Sequence, residues 1–317
     1  IAASYGCTVA QLCLRWCLQR RAIPLPKSTD PARIAENARI FWFDITDALH
    51  EGQNEVLVRC NLRHPNSRWY SGAGLYRNVE LWEAPDLHLM PDGLYVAAKE
   101  GDNGAWTVAV TAEAGSVTAA STGRTLTLHL TDDNGSLLGT AAIPADAWAA
   151  LPSPDGWRTG KETAIYKASH TFTLQDPALW DLDAPSFYHI TAELTGADGV
   201  TDTLPTRFGC RTIEATPDCG LLVNHKRVLI KGVCIHHDFG CLGSAFEYSA
   251  AKRQLEILKS MGVNSIRTGH TPPAPQFMDL ADEMGVLMDV ESFDCWRSGK
   301  NPYDYGRFFD EWQEKDV

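Results

Sequence analysis

The chain of 317 residues reads as a multidomain protein, mainly β, with an α/β part at its C-terminal end and a short α-rich segment at its start. Three observations predict this. Residues 85–210 are rich in Thr, Ala, Val and Gly, and their apolar residues alternate in short runs split by Asp-Gly and Asn-Gly pairs. Residues 228–296 change from β-branched runs to runs of helical period and back, in the order strand, helix, strand, helix, strand. Residues 1–40 differ from both, with helical signals around one short strand. A chain of this length fits roughly two or three domains.

In the first segment Thr8 and Gln11 make a capping box, which ties up two backbone donors at a helix start. The helix that follows buries some combination of Leu12, Leu14, Trp16 and Leu18. Residues 22–26 form a short strand ahead of Lys27 and Ser28. Asp30 as N-cap and Pro31 at N1 open a second helix over 32–39. That helix start, with Lys27, Ser28 and Arg33 beside it, suits an anion; basic residues near a helix start are also often only solvated.

The pattern changes near Phe41. Residues 41–46 and 54–59 alternate as antiparallel strands, with a turn at Glu51, Gly52 and Gln53. In residues 85–210, short strands such as 106–110 and 125–130 are separated by turns expected at 92–93, 103–104 and 134–135. By pattern this is an immunoglobulin-like sandwich.

The C-terminal part carries most of the chemistry. Val228–Ile235 is a β-branched run ending on His236, His237 and Asp238. A helix over 250–261 places Leu255, Leu258 and Met261 on one face, with Gly262 after its end. Residues 263–269 form a second strand ending on His270. Phe277, Leu280, Ala281 and Met284 repeat at helical spacing until Gly285. Residues 286–290 form a third strand ending on Glu291, with Trp296 beyond. Each strand thus delivers a polar group at its C-terminal end, the face that carries active sites in a parallel (β/α) barrel. Imidazoles and carboxylates hold hydroxyls, and an indole offers a flat face to sugar C–H groups. Periodicity alone fits equally well with any α/β domain whose strand-end polar groups are merely solvated.

The wording of three ordered motifs is more specific: Lys231 to Asp238, Ile266 to Pro275 and Met288 to Trp296. They resemble the start of the catalytic barrel of glycoside hydrolase family 2, which includes β-galactosidases, β-glucuronidases and β-mannosidases. The His-His-Asp form is most similar to the β-galactosidase branch, although that family more often has Ser and Asn where this chain has Gly269 and Thr271. Residues 65–81 resemble the end of the family's jelly-roll sugar-binding domain, and 176–188 a late stretch of its linking sandwich. The resemblance implies four regions: a reductase-like segment (1–40, below), the end of a jelly roll (41–84), an immunoglobulin-like sandwich (85–210), and the first three βα units of a TIM barrel, truncated (211–317). It implies a retaining exo-glycosidase acting on terminal β-glycosides, β-galactosides above all. His236, His237 and His270 would meet sugar hydroxyls, with Asp238 and Glu291 in support and Trp296 stacking. Arg68 would reach a substrate hydroxyl or serve as a domain-interface residue. Such enzymes need two carboxylates about 5 Å apart, and the resemblance places both glutamates beyond Val317. Glu291 matches a residue that supports the site or a metal. The chain itself is therefore expected to be a fragment, inactive on aryl β-galactosides, or a non-catalytic sugar binder.

Residues 5–16, 23–28 and 33–37 resemble the C-terminal part of aldo-keto reductases. There Lys27, Ser28 and Arg33 would hold the 2′-phosphate of NADPH, and Glu36 and Asn37 the adenine. The family's catalytic residues lie upstream of this segment, so it reads as a remnant without reductase activity, and the join near residue 40 as a splice of two genes.

The formal net charge of −12 and a pI near 5.3 make nucleic acid and anionic membrane poor partners. Hydrophobic residues make up 44%, enough to build cores, without an apolar run long enough to span a membrane. Nine scattered cysteines without a C-x-x-C pair read as reduced thiols in a cytoplasm. The chain starts at Ile1, so an upstream signal peptide stays open. No cofactor is expected to be required; a divalent cation and a homo-oligomer remain compatible with the parent enzyme.

Overall fold

A computed structural model describes residues 22–24, 45–58, 63, 65–66, 75–118, 123–151, 162–196, 199, 201–310 and 313. The chain divides into two compact units, one of Ile1–Tyr76, Gly156–Gly160 and Ser292–Val317, the other of Arg77–Asp155 and Lys161–Glu291.

In the first unit, β1 (Ala22–Pro24) pairs parallel with β2 (Glu55–Leu57). These are the short strand expected at 22–26 and the core of that expected at 54–59. The turn between His50 and Asn54 is closed by the Asn54 side chain, whose Oδ1 accepts from His50 N at 3.1 Å and whose Nδ2 donates to His50 O at 2.9 Å. Thr46, expected in a strand, instead opens a 3₁₀ turn, Thr46–Ala48, because the amides of Ala48 and Leu49 fold back onto Ile45 O. The helices expected within residues 1–40 lie outside the described residues.

The second unit holds an antiparallel sandwich. One sheet has the order β3 (Leu87–Glu100), β4 (Ala105–Ser116), β8 (Ala164–Gln175), β7 (Ala149–Ala150); the other runs β10 (Thr201–Phe208), β9 (Tyr188–Thr195), β5 (Thr125–Asp132), β6 (Leu137–Pro144). Alternate residues face inward, as the sequence period requires. Val108, Val110, Leu128 and Ile190 are fully buried between the sheets, each contributing about 1.5–3 kcal/mol of transfer free energy. Asn103–Gly104 is the expected hairpin turn, with both residues at positive φ (55° and 77°), and Gly135 (80°) completes the turn between β5 and β6. Asp92–Gly93 is not a turn. It lies inside β3 at a register shift between Leu89 and Leu94, so the Asp-Gly pair makes a β-bulge with Asp92 at φ 56°.

Beyond the sandwich, β11 (Ile213–Thr216), β12 (Gly220–Val223) and β13 (Lys226–Arg227) form a small antiparallel sheet. Then come three parallel strands, β14 (Gly232–Ile235), β15 (Ser265–Thr268) and β16 (Leu287–Val290), joined by α1 (Tyr248–Ser260) and α2 (Pro275–Glu283). Val233, Ile235, Ile266 and Met288 pack on the helices through Ala251, Leu255, Phe277 and Leu280. Met261, expected on the buried face, caps α1 and is 71% exposed. The strand expected from Val228 begins only at Gly232. The Asn264 side chain takes the backbone of the missing part, accepting from Lys231 N at 2.8 Å and donating to Leu229 O at 3.0 Å. No helix among the described residues is long and apolar enough to cross a membrane.

Sandwich and α/β part meet at Trp180, which is buried and donates from Nε1 to Asp282 O at 2.9 Å. Arg211 lies over its ring at 4.3 Å. Asn224 joins Trp180 O to Thr212 N through its side-chain amide.

Candidate functional site

The register places Ile235, Thr268 and Val290 side by side at the C-terminal edge of the parallel sheet. The residues just beyond are His236, Gly269–His270 and Glu291. Three separate stretches of sequence therefore converge at one edge. Gly269 N donates to Ile235 O at 2.8 Å, continuing the ladder past the last paired residue. The His236 and His270 rings meet edge-on, with centroids 5.4 Å apart. Glu291 N donates to Thr268 Oγ1 at 3.1 Å, fixing the start of the loop after β16. One oxygen of Glu291, Oε2, then receives both His270 Nδ1 at 2.5 Å and an Arg267 guanidinium nitrogen at 2.6 Å.

Arg267 was not among the residues expected at the site. The signal was present: Ile266 and Thr268 face the helices, so Arg267 between them must stand on the opposite face. It shares that face with Cys234 and Asp289, its register neighbours, and its Nη1 lies 3.6 Å from Cys234 Sγ.

His237 and Asp238 turn to the following loop. His237 Nδ1 lies 3.0 Å from Ser244 O, and its ring packs edge-on against Phe239 at 5.3 Å. Burial pushes its pKa down, opposed by the Ser244 carbonyl and aided by the positive charge of Arg77. Asp238 Oδ1 accepts from Gly240 N at 2.9 Å, an Asx turn that shapes this loop. Arg77 also donates to Pro272 O, tethering the loop after His270. A small recess lined by His236, His237, Thr268, Thr271 and Phe277 sits behind these strand ends.

Trp296 belongs to the other unit. It is 64% exposed and lies against Phe293 and Phe309, with ring centroids at 6.1 and 5.3 Å. The loop that presents it is organised by the buried Asp304, whose carboxylate accepts from the amides of Lys300 (2.5 Å), Asn301 (2.6 Å) and Gly306 (3.0 Å). Burial alone would raise the Asp304 pKa, yet these amides and Cys295 Sγ bring it below the ordinary aspartate value. Arg68, Lys27, Ser28, Arg33, Glu36 and Asn37 lie outside the described residues. Among the described residues no three His, Cys, Asp or Glu side chains converge as a metal-ligand set.

Residues 92–211 match the family described as glycosyl hydrolases family 2, and residues 215–306 the TIM barrel domain of the same family. Residues 1–56 match the aldo/keto reductase family. A β-galactosidase of Bacteroides ovatus is 36% identical over 279 residues, which is 87% of this chain and 31% of that protein. A protein of Formosa agariphila named as a β-glucuronidase is 30% identical over 87% of the chain and 25% of its own length. The chain therefore spans about a third or less of these relatives. Among solved structures, a family 2 member from Bacteroides cellulosilyticus matches with TM-score 0.69 and 27% identity over 86% of this chain and 34% of that one. A β-glycosidase from Bacteroides vulgatus matches with TM-score 0.66 and 31% identity over 79% and 30%. Through residues 92–306, which read as the family's sandwich followed by the start of its barrel, the chain belongs to glycoside hydrolase family 2.

Proposed function

We propose that the protein serves the hydrolysis of terminal β-glycosidic bonds, with β-galactosides as the substrate class. The observation that carries this is the meeting of His236, His270 and Glu291 at the C-terminal edge of three parallel strands. In a (β/α) barrel that edge is where substrate binds. Imidazole nitrogens there suit sugar hydroxyls, while Glu291, engaged by Arg267 and His270 through one oxygen, serves to orient rather than attack. In this reading the two catalytic glutamates are other residues, and His237 and Asp238 shape the loop beside the subsite. NADPH plays no part, and Lys27, Ser28, Arg33, Glu36 and Asn37 are a remnant. In the same reading the scattered cysteines serve as reduced thiols, which supports a reducing compartment.

Calorimetric titration of the chain with galactose, lactose and glucuronate, beside a release assay with an aryl β-galactoside, tests this. Binding of galactose without turnover is expected. Preference for glucuronate would move the substrate class to β-glucuronides, which the similarity to a protein named as a β-glucuronidase also favours. Turnover abolished by Glu291→Gln would make Glu291 catalytic and overturn the assignment. NADPH fluorescence quenched by the chain at micromolar concentration would restore a nucleotide role to the N-terminal segment.

A further inference from the structure

The turn between β12 and β13 is made by Asn224 and His225, both at positive φ, 51° and 62°. A two-residue hairpin of this kind favours glycine at its second position, and a ring-bearing residue there holds the backbone in a sparsely populated region. The side chain that sits at this cost meets two carboxylates. His225 Nε2 lies 2.7 Å from Glu100 Oε2, and its Nδ1 lies 2.8 Å from Glu214 Oε1. An ionised carboxylate only accepts, and a neutral imidazole has one N–H to give. Both contacts together need both nitrogens protonated, so the ring bridges as an imidazolium. Glu100 ends β3 in the sandwich and Glu214 lies in β11, so the bridge joins the sandwich to the small sheet. The Glu100 hydrogen bond and charge raise the His225 pKa, Glu214 adds to this, and desolvation opposes it. Of the other charged groups, Arg227 stands in one row with Glu214 across Leu222, Lys226 follows His225, and Lys99 and Asp102 flank Glu100. Asn224, the other turn residue, is buried and fastens the hairpin from inside to Trp180 O and Thr212 N, by bonds that do not titrate.

We infer that His225 is a proton-operated clasp: as an imidazolium it ties the end of β3 to β11, and on losing its proton it releases one carboxylate, which loosens the β12–β13 hairpin on the way to β14. A neutral ring keeps one N–H, so its bare nitrogen would face a carboxylate, acceptor against acceptor. A raised folded pKa gives stability that is complete below the ordinary imidazole value of about 6.5 and is lost as pH rises through the folded value. The clasp is therefore closed in mild acid and opens toward alkaline pH. The His225 side chain is 59% exposed, so solvent screens the bridge, and its release loosens the hairpin while Asn224 still anchors it.

The test is an NMR titration of the histidine rings of the full chain, with His225 assigned by its loss in His225→Gly, which also gives the turn its favoured residue. In the wild type the His225 midpoint is expected above about 6.5, and Glu100→Gln and Glu214→Gln are each expected to lower it. A wild-type midpoint at or below about 6.5 would overturn the inference, as would a midpoint that either variant leaves unchanged. If a variant fails to fold, the wild-type midpoint still decides. Amide hydrogen exchange, corrected for intrinsic rates, reads the release itself. Val228 N donates to Leu221 O at 2.9 Å across the hairpin. From pH 6 to pH 9 its protection is expected to fall about twofold to fivefold more in the wild type than in His225→Gly, the size of an exposed ion pair. In about 1 M salt that difference is expected to shrink. Equal falls in the two proteins at low salt would show that the hairpin is not loosened, and the clasp would be abandoned.

Discussion

Asp304 and His237 show how single buried groups set local order in opposite ways. Asp304 gathers three backbone amides onto one carboxylate, so Asp304→Ala orphans all three and is expected to cost about 2–3 kcal/mol. Urea unfolding followed by tryptophan fluorescence would show this loss, because Trp296 rides on the same loop. Cys295 beside it has its thiol pushed up to about 11, first by burial and then by Asp304. A raised pKa favours the folded state while the thiol is protonated, so this contribution is complete below the ordinary thiol range and is lost as pH rises toward 11. His237 works at the other end. Its depressed pKa means that the folded state prefers the neutral ring. The stability this gives is full above the ordinary imidazole value of about 6.5 and is lost as pH falls toward the lower folded value. Urea midpoints at pH 8 and pH 5 should therefore differ more in the wild type than in His237→Gln. Equal differences would show that His237 titrates as it does in the unfolded chain.

At the scale of elements, helix ends and strand starts are decided by particular residues. Gly285 ends α2 at φ 64°, and a Cβ there would lie 2.0 Å from Leu182 O. Gly285→Ala thus combines a left-handed backbone with a clash against main chain, and is expected to cost about 2–4 kcal/mol, read as a lowered thermal midpoint. Asn264 decides where β14 starts by binding the backbone of Leu229 and Lys231, which leaves Leu229 and Ile230 exposed at 70% and 55%. Asn264→Ala should speed amide hydrogen exchange at Lys231, whose amide loses its acceptor, and leave the amides of β15 protected. Protection unchanged at Lys231 would mean that another group takes the amide.

At the scale of the whole molecule, the described parts of the second unit hold together through Trp180. Its indole is buried, donates to Asp282 O and carries Arg211 on its face, while Arg207 reaches Glu283 at 2.9 Å. Trp180→Phe keeps an aromatic ring but removes the donor and part of the ring volume, leaving the Asp282 carbonyl with Gly285 N, at a loss of about 1–2 kcal/mol. If this contact couples sandwich and α/β part, the variant should unfold with two separable transitions by circular dichroism and fluorescence where the wild type shows one. A single shifted transition would place the coupling elsewhere, in the Arg207 and Asn224 contacts.

Local chemistry was legible without coordinates. Alternation foretold the sandwich, helical spacing foretold α1 and α2, and Asn103–Gly104 and Gly135 turn as their residue types demand, because each depends on a few neighbouring residues. The strand-end positions of His236, His270 and Glu291 were legible for the same reason. What needed the tertiary structure is everything settled by groups distant in sequence. Asp92–Gly93 has turn chemistry, yet it became a bulge because β4 pairs on both sides of it. Asn264 shortened β14 from 33 residues away. Arg267, read from the chain as one more strand residue, found its role only when parallel pairing set it beside the loop after β16. Periodicity assigns a side chain to a face; which partner it meets there is decided by register, and register is set by the packing of the whole sheet.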